Sequence, residues 1–120
     1  MNILNRSAIT ITAKQPFIDW ANALAPDFPL SLGVLGESKT YLTNPDFDDA
    51  EKHLKKYYKE IFENELEGIW LDENDWPQKR DYKTFCEWFQ VEISDCVVDL
   101  SKKKYLFNLI THLLYKIQLI

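Results

Sequence analysis

The chain has 120 residues, 46% of them hydrophobic, and a formal net charge of -5, which fits one ordinary globular domain. This composition excludes a disordered or collagen-like chain. The acidic balance, with two arginines in the whole chain, also argues against nucleic-acid binding, which needs a basic face.

The first part of the chain predicts two strands and one helix. Residues 7–13 alternate between apolar and polar side chains, which is typical of a half-buried strand. Pro16 suits the first turn of a helix that places apolar side chains on one stripe as far as Leu24. Residues 39–43 predict a second, short strand.

The clearest helical pattern follows Asp48. Asp48 and Glu51 have capping-box spacing, and apolar residues then recur at three- and four-residue steps to the neighbourhood of Gly68. Opposite charges four residues apart are predicted to pair on the solvent face: Glu51 with Lys55, Lys56 with Glu60, and Lys59 with Glu63. A polar connection over residues 71–80 leads to a short helix that Asp81 can cap.

Residues 91–100 predict another strand, but the alternation of apolar side chains changes phase within it. Asp95 therefore either points into the apolar face or lies at a bulge that faces water, and we favour the bulge. Ser101 can cap a last helix over residues 101–120, which is rich in apolar side chains.

The resulting order, β-α-β-α-α-β-α, predicts an α+β fold: a small sheet of about three strands with helices packed on it, forming one domain over residues 1–120. No repeats or low-complexity segments interrupt it. Aromatic side chains on the helical stripes should meet in one core on a sheet face; these are Trp20, Tyr58, Phe62, Phe85, Trp88 and Phe89.

Several segments, in this order, resemble an uncharacterised family of small bacterial cytoplasmic proteins. They are residues 14–20 (KQPFIDW), residues 57–66 (YYKEIFENEL), the Trp76-Pro77 pair, residues 85–89 around Trp88, and residues 97–100 (VVDL). The resemblance implies a soluble bacterial protein of one domain, and it implies no reaction, cofactor or catalytic residue. The segment after Leu100 lies outside this similarity.

Metal and catalytic chemistry find little support in the sequence. Asp49 and His53 have helical spacing that can bring an oxygen and an imidazole to one metal ion, but the charges of Lys52 and Lys56 would oppose a cation. We therefore expect both side chains on the solvent face, no metal site and no cofactor. Neither cysteine has the local signature of a nucleophile, so we assign no catalytic residue.

An acidic, aromatic connection offers the first candidate partner-binding site. An exposed tryptophan beside carboxylates suits a cationic ligand or a basic partner. The other interpretation, which we favour, is that both tryptophans are core anchors that hold the loop while the acids are solvated. The candidate residues are Trp70, Asp72, Glu73, Asp75 and Trp76.

The predicted last helix offers the second candidate. Eleven of its twenty residues are apolar, more than one buried stripe needs, so an uncovered patch would mark an interface. We expect a homodimer or a protein partner on this helix, through Leu106, Ile110, Leu113 and Ile117, with self-association preferred. Two alternatives stay open: lipid-surface binding, helped by the lysines of this segment, and burial of both helix faces within one chain.

These patterns favour a non-catalytic interaction module. The alternative is a small enzyme or ligand binder with a carboxylate and aromatic site near Asp95. Cys86 and Cys96 form no C-x-x-C pair, and residues 1–7 contain no long apolar run, so we expect reduced thiols and a cytoplasmic protein without a signal peptide.

Overall fold

Residues 2–29, 36–45 and 48–101 are described by the structure, a computed structural model. They form an α+β arrangement of two antiparallel sheets and three α-helices, which confirms the predicted fold class. In chain order the elements are β1 (Asn2–Leu4), β2 (Ser7–Ala13), α1 (Gln15–Leu24), β3 (Lys39–Thr43), α2 (Ala50–Ile69), a 3₁₀ turn (Glu73–Asp75), α3 (Tyr82–Trp88), β4 (Phe89–Ser94) and β5 (Val97–Asp99).

The larger sheet has three strands in the order β3-β2-β4, with β2 antiparallel to both neighbours. Ile9 of β2 lies between Tyr41 of β3 and Ile93 of β4, so the three side chains share the face that packs on the helices. Ile9 is fully buried and Ile11 is 2% exposed, which confirms the inward face predicted from the alternation.

The smaller sheet is a two-stranded ribbon of β1 and β5, in which Ile3 lies opposite Val98. The sequence did not predict β1, which has only three residues. It also predicted one strand over residues 91–100, and this is corrected: the chain leaves the three-stranded sheet at Ser94 and enters the ribbon at Val97. The change of phase at Asp95 is therefore a change of sheet.

Aromatic rings fill the core between the three-stranded sheet and the helices. Phe62 of α2 is fully buried and lies 5.6 to 5.7 Å, between ring centroids, from Phe85, Trp88 and Phe89. Trp88 is half-buried against this cluster. The predicted aromatic core is confirmed, although Phe89 opens β4 and does not belong to the preceding helix.

Aspartates begin both of the later helices. Asp49 caps α2, accepting hydrogen bonds from the backbone N–H groups of Glu51 at 2.9 Å and Lys52 at 3.4 Å. The cap is thus one residue later than the predicted Asp48. Asp81 caps α3 as predicted, accepting from the N–H of Thr84 at 2.8 Å.

The predicted helix over residues 101–120 lies, after Ser101, outside the described part of the chain. Leu106, Ile110, Leu113 and Ile117 belong to that segment, so their predicted partner-binding role stays a prediction. Within residues 2–29, 36–45 and 48–101, no helix has the length and apolar character needed to cross a membrane.

Candidate functional site

An open hollow with a volume of about 390 Å³ lies between the edge strand β3 and helix α2. Three stretches of chain meet there: the turn between β1 and β2, the end of β3, and the middle of α2. The described residues that line it are Arg6, Tyr41, Leu42, Thr43, Asn44, Tyr57, Glu60, Ile61 and Asn64. We call this hollow the β3–α2 cavity.

A hydrogen-bond network around Tyr41 closes one side of the β3–α2 cavity. The Tyr41 hydroxyl donates to the carboxylate of Glu65 and accepts from Asn64 Nδ2 at 2.8 Å. Lys39 Nζ lies 3.0 Å from Glu65 Oε2, and the Glu65 side chain is 14% exposed. Burial, reinforced by the bond to Glu65, raises the pKa of Tyr41 above its ordinary range.

A second pair of contacts fixes the other end of the cavity. Thr43 Oγ1 lies 2.8 Å from His53 Nε2, and both side chains are buried. The His53 ring packs 5.1 Å from the ring of Tyr57, whose hydroxyl accepts a hydrogen bond from the backbone N–H of Asn44 at 3.1 Å. The polar walls of the cavity are therefore held in place by bonds between β3 and α2.

The position of His53 corrects a prediction. We expected Asp49 and His53 to share a solvent face, but His53 is 7% exposed and bonds to Thr43, while Asp49 caps the helix. Burial, with a smaller contribution from the charge of Lys56, lowers the pKa of His53. Among the described residues, no group of three or more His, Cys, Asp or Glu side chains is arranged to hold a metal ion.

The acidic, aromatic connection forms a compact loop whose polar groups bond to one another. Trp70 Nε1 donates to Asp75 Oδ2 at 2.9 Å, and Trp76 Nε1 donates to the carbonyl of Trp70 at 2.8 Å. From outside the loop, Trp20 Nε1 donates to the carbonyl of Asp75 at 3.0 Å. These bonds hold the loop together, and Trp76 also packs against the hydrophobic core.

The remaining acids of this connection also have partners within it. Asp72 accepts from the backbone N–H of Asn74 at 3.0 Å, and Glu73 lies 3.4 Å from Arg80, whose guanidinium stands over the Trp76 ring. The loop therefore holds Trp70, Asp72, Glu73, Asp75 and Trp76 close to one another. Their binding of a partner stays a prediction.

Asp95, the centre of the alternative ligand site, is exposed at the bend between β4 and β5. Ser94 Oγ shapes this bend by bonding to the backbone of Cys96 on both sides, accepting from its N–H and donating to its carbonyl. Asp95 does not belong to the residues that line the β3–α2 cavity. That cavity lies at the other edge of the three-stranded sheet, beside β3.

The outer face of the β1–β5 ribbon is apolar and exposed. Ile3 is 73% exposed, its partner Val98 is 40% exposed, and Leu100, one residue beyond β5, is 74% exposed. Ile3 and Val98 are paired across the ribbon and lie on the same side of it, and Leu100 follows directly after β5. We call these three side chains the ribbon face.

Sequence reasoning missed both the β3–α2 cavity and the ribbon face. Comparisons with family models, with curated proteins and with solved structures gave no match to the chain. The resemblance to a family of small bacterial proteins therefore stays a prediction.

Proposed function

We propose that this protein is a non-catalytic interaction module that acts by self-association through the ribbon face. The observation that supports this proposal is the exposure of Ile3 and Val98 on one side of a two-stranded sheet, with the exposed side chain of Leu100 directly after β5. Contiguous apolar surface on a water-soluble body is typical of an interface, because its burial removes apolar area from water.

The ribbon also needs a cover for its own stability. A two-stranded sheet has marginal stability in water unless it packs on something else. The half-buried side chains of Leu4 and Val97 lie on the inner side of the ribbon, which leaves the outer side uncovered by the described residues. A second copy that offers the same face would cover it, and two-fold symmetric dimers are the most common assemblies.

Three side chains bury too little area to hold a stable dimer, which needs about 1,000 Å² or more in total. The chain continues from Leu100 into the apolar segment over residues 102–120, so the proposal includes this segment in the same interface. Leu106, Ile110, Leu113 and Ile117 are the residues that would contribute. The interface thus joins the ribbon face to the partner-binding stripe predicted from the sequence.

Three more apolar side chains are largely exposed among the described residues. Phe28, Leu42 and Leu71 belong to three separate segments, and single exposed apolar residues are ordinary on protein surfaces.

As part of the same proposal, we place the protein in the cytoplasm. The free thiols of Cys86 and Cys96 fit a reducing compartment.

Light scattering at several protein concentrations tests the proposal. The wild-type chain should approach twice its mass of 14.2 kDa as its concentration rises. Leu100→Glu and Ile110→Glu should each keep it monomeric, since a buried unpaired charge opposes association. Leu71→Glu is the matched control, because Leu71 is 82% exposed outside the ribbon, and it should leave the dimer intact.

Circular dichroism on each variant shows that the fold has survived the substitution. A wild-type mass that stays near 14.2 kDa at every concentration would contradict self-association. If Leu71→Glu weakens the dimer as much as Leu100→Glu does, the interface does not lie on the ribbon face.

A further inference from the structure

We propose that the β3–α2 cavity binds a small zwitterion, a free amino acid or a dipeptide that carries both an ammonium and a carboxylate group. This inference is independent of self-association, because the cavity lies between β3 and α2 and not on the ribbon face. It rests on two features of the cavity: polar walls that are held by hydrogen bonds between β3 and α2, and two opposite charges that form no ion pair with a described residue.

The fixed walls come from residues whose hydrogen bonds join β3 to α2. Tyr41 bonds to Asn64 and Glu65, and the Tyr57 hydroxyl accepts from the N–H of Asn44. A wall that is already ordered loses little conformational entropy when a ligand binds. The Tyr57 hydroxyl, having accepted one bond, retains a proton that it can donate to a ligand.

The two opposite charges belong to Arg6 and Glu60. Arg6 donates from one guanidinium nitrogen to the carbonyl of Asn5, which leaves most of its donors for another acceptor. Glu60 forms no ion pair with a described residue, and the predicted pair with Lys56 does not form. By contrast, Glu51 and Lys55 pair at 3.3 Å on the same helix, as predicted.

These charges match the two ends of a zwitterion. A guanidinium presents a planar fork of donors that fits a carboxylate, and a carboxylate accepts hydrogen bonds from an ammonium group. A ligand with one charge would satisfy only Arg6 or Glu60 and would bring an unbalanced charge into the cavity. A ligand with both charges satisfies both residues and leaves the net charge of the site unchanged.

The size and the apolar lining define the rest of the ligand. A volume of about 390 Å³ is at the small end of the range for ligand pockets. Leu42 alternates with Tyr41 along β3, so its exposed side chain points to the other face of the sheet. The apolar lining of the cavity is therefore Ile61 together with the rings of Tyr41 and Tyr57. The side chain that fits between them is aliphatic or aromatic, so leucine and the dipeptide Leu-Leu are the probes of choice.

Isothermal titration calorimetry on the wild-type chain tests the proposal with leucine, Leu-Leu, N-acetyl-leucine and leucinamide. At least one of the two zwitterions should bind. N-acetylation removes the positive charge and amidation removes the negative charge, and each should weaken the binding of leucine by about tenfold or more. If only Leu-Leu binds, the same comparison is made with its N-acetylated and amidated forms.

Two variants test which residue binds the carboxylate of the ligand and which binds its ammonium group. Arg6→Gln should weaken zwitterion binding by about tenfold and should abolish the preference over the amide, because the carboxylate has lost its partner. Glu60→Gln should weaken binding by a similar factor and should abolish the preference over the N-acetyl form. Lys52→Gln and Glu63→Gln are matched controls, since both residues are exposed on α2 and neither lines the cavity, and they should bind as the wild type does.

Three results would overturn the proposal: no binding of either zwitterion at millimolar concentration, equal binding of the blocked forms, or unchanged affinity in both variants. Because light scattering reports self-association separately, failure of one proposal leaves the other standing. Circular dichroism on Arg6→Gln and Glu60→Gln separates a lost ligand contact from a lost fold.

Discussion

Phe89 connects the inner face of the sheet to the aromatic core. It is 2% exposed, and its ring centroid lies 5.1 Å from Phe17, 5.2 Å from Phe85 and 5.7 Å from Phe62. Removal of the Phe89 ring would leave a cavity, because the surrounding rings are packed too closely to move in and fill it.

We therefore expect Phe89→Ala to lower the free energy of unfolding by about 3–5 kcal/mol, a large part of the stability of a small domain. Urea denaturation followed by tryptophan fluorescence measures it. Phe28→Ala is the matched control, because Phe28 is 81% exposed, and it should change the stability by less than about 0.5 kcal/mol. Equal losses in the two variants would mean that Phe89 is not a core residue.

The Tyr41 hydroxyl should stabilise the fold through Glu65. In Tyr41→Phe the partly buried Glu65 carboxylate keeps Lys39 but loses its tyrosine donor, and Asn64 loses its acceptor. We expect a loss of about 1–3 kcal/mol in the free energy of unfolding. Tyr58→Phe, which removes a hydroxyl from a ring packed on Tyr82 and Phe85, should cost less; equal costs would contradict the network.

His53 should make stability depend on pH. Its pKa is lower in the folded chain than its ordinary value of 6.5, so the unfolded chain binds more protons as the pH falls below that value. The contribution of His53 to stability is thus complete above about pH 6.5 and is lost toward lower pH. His53→Gln should show a smaller fall in urea midpoint between pH 7 and pH 5 than the wild type, whereas parallel curves would show that His53 does not titrate on unfolding.

The burial of His53 shows what a pattern at the residue scale can and cannot predict. His53 stands four residues before Tyr57 and next to Leu54, at the border of the apolar stripe, and this position was a signal for burial. Its partner Thr43 was not predictable, because no local pattern reports which strand a helix will pack against.

At the scale of elements, the aspartate that begins α2 is the sharpest difference between sequence and structure. Capping-box spacing predicted Asp48, but Asp49 accepts the two backbone bonds. Adjacent aspartates give almost the same sequence signal, and the backbone geometry decides between them. Asp49→Ala should lower the free energy of unfolding by about 0.5–2 kcal/mol.

Asp48→Ala is the matched control for that measurement. Asp48 is exposed and accepts none of the hydrogen bonds at this helix start, so its removal should change the unfolding midpoint less than the removal of Asp49. A larger loss of unfolding free energy in Asp48→Ala than in Asp49→Ala would show that Asp48 caps the helix, as the capping-box spacing predicted.

The strands show which elements periodicity predicts. Period-two alternation was sufficient for β2, because the strand has seven residues and one buried face. β1 and β5 have three residues each, too few for a pattern, and they are strands because they pair with each other. The phase change near Asp95 was a correct signal, and only the pairing shows that the chain changes sheets there.

At the scale of the whole molecule, both proposed sites depend on long-range pairing. The β3–α2 cavity joins Arg6, β3 and α2, and the ribbon face joins the start of the described chain to its end. Composition and periodicity predict which faces are apolar, but they carry no information on which elements meet. The aromatic core was predictable because most of its members lie on helical stripes and Phe89 directly follows one of them.

Amide hydrogen exchange at low and high protein concentration tests the central claim, self-association through the ribbon face. The claim predicts that protection of residues 2–4 and 97–101 rises with concentration, while the protection of β2 in the core stays constant. Protection of these two segments that does not change with concentration, in a sample whose light-scattering mass has doubled, would contradict an interface on the ribbon face.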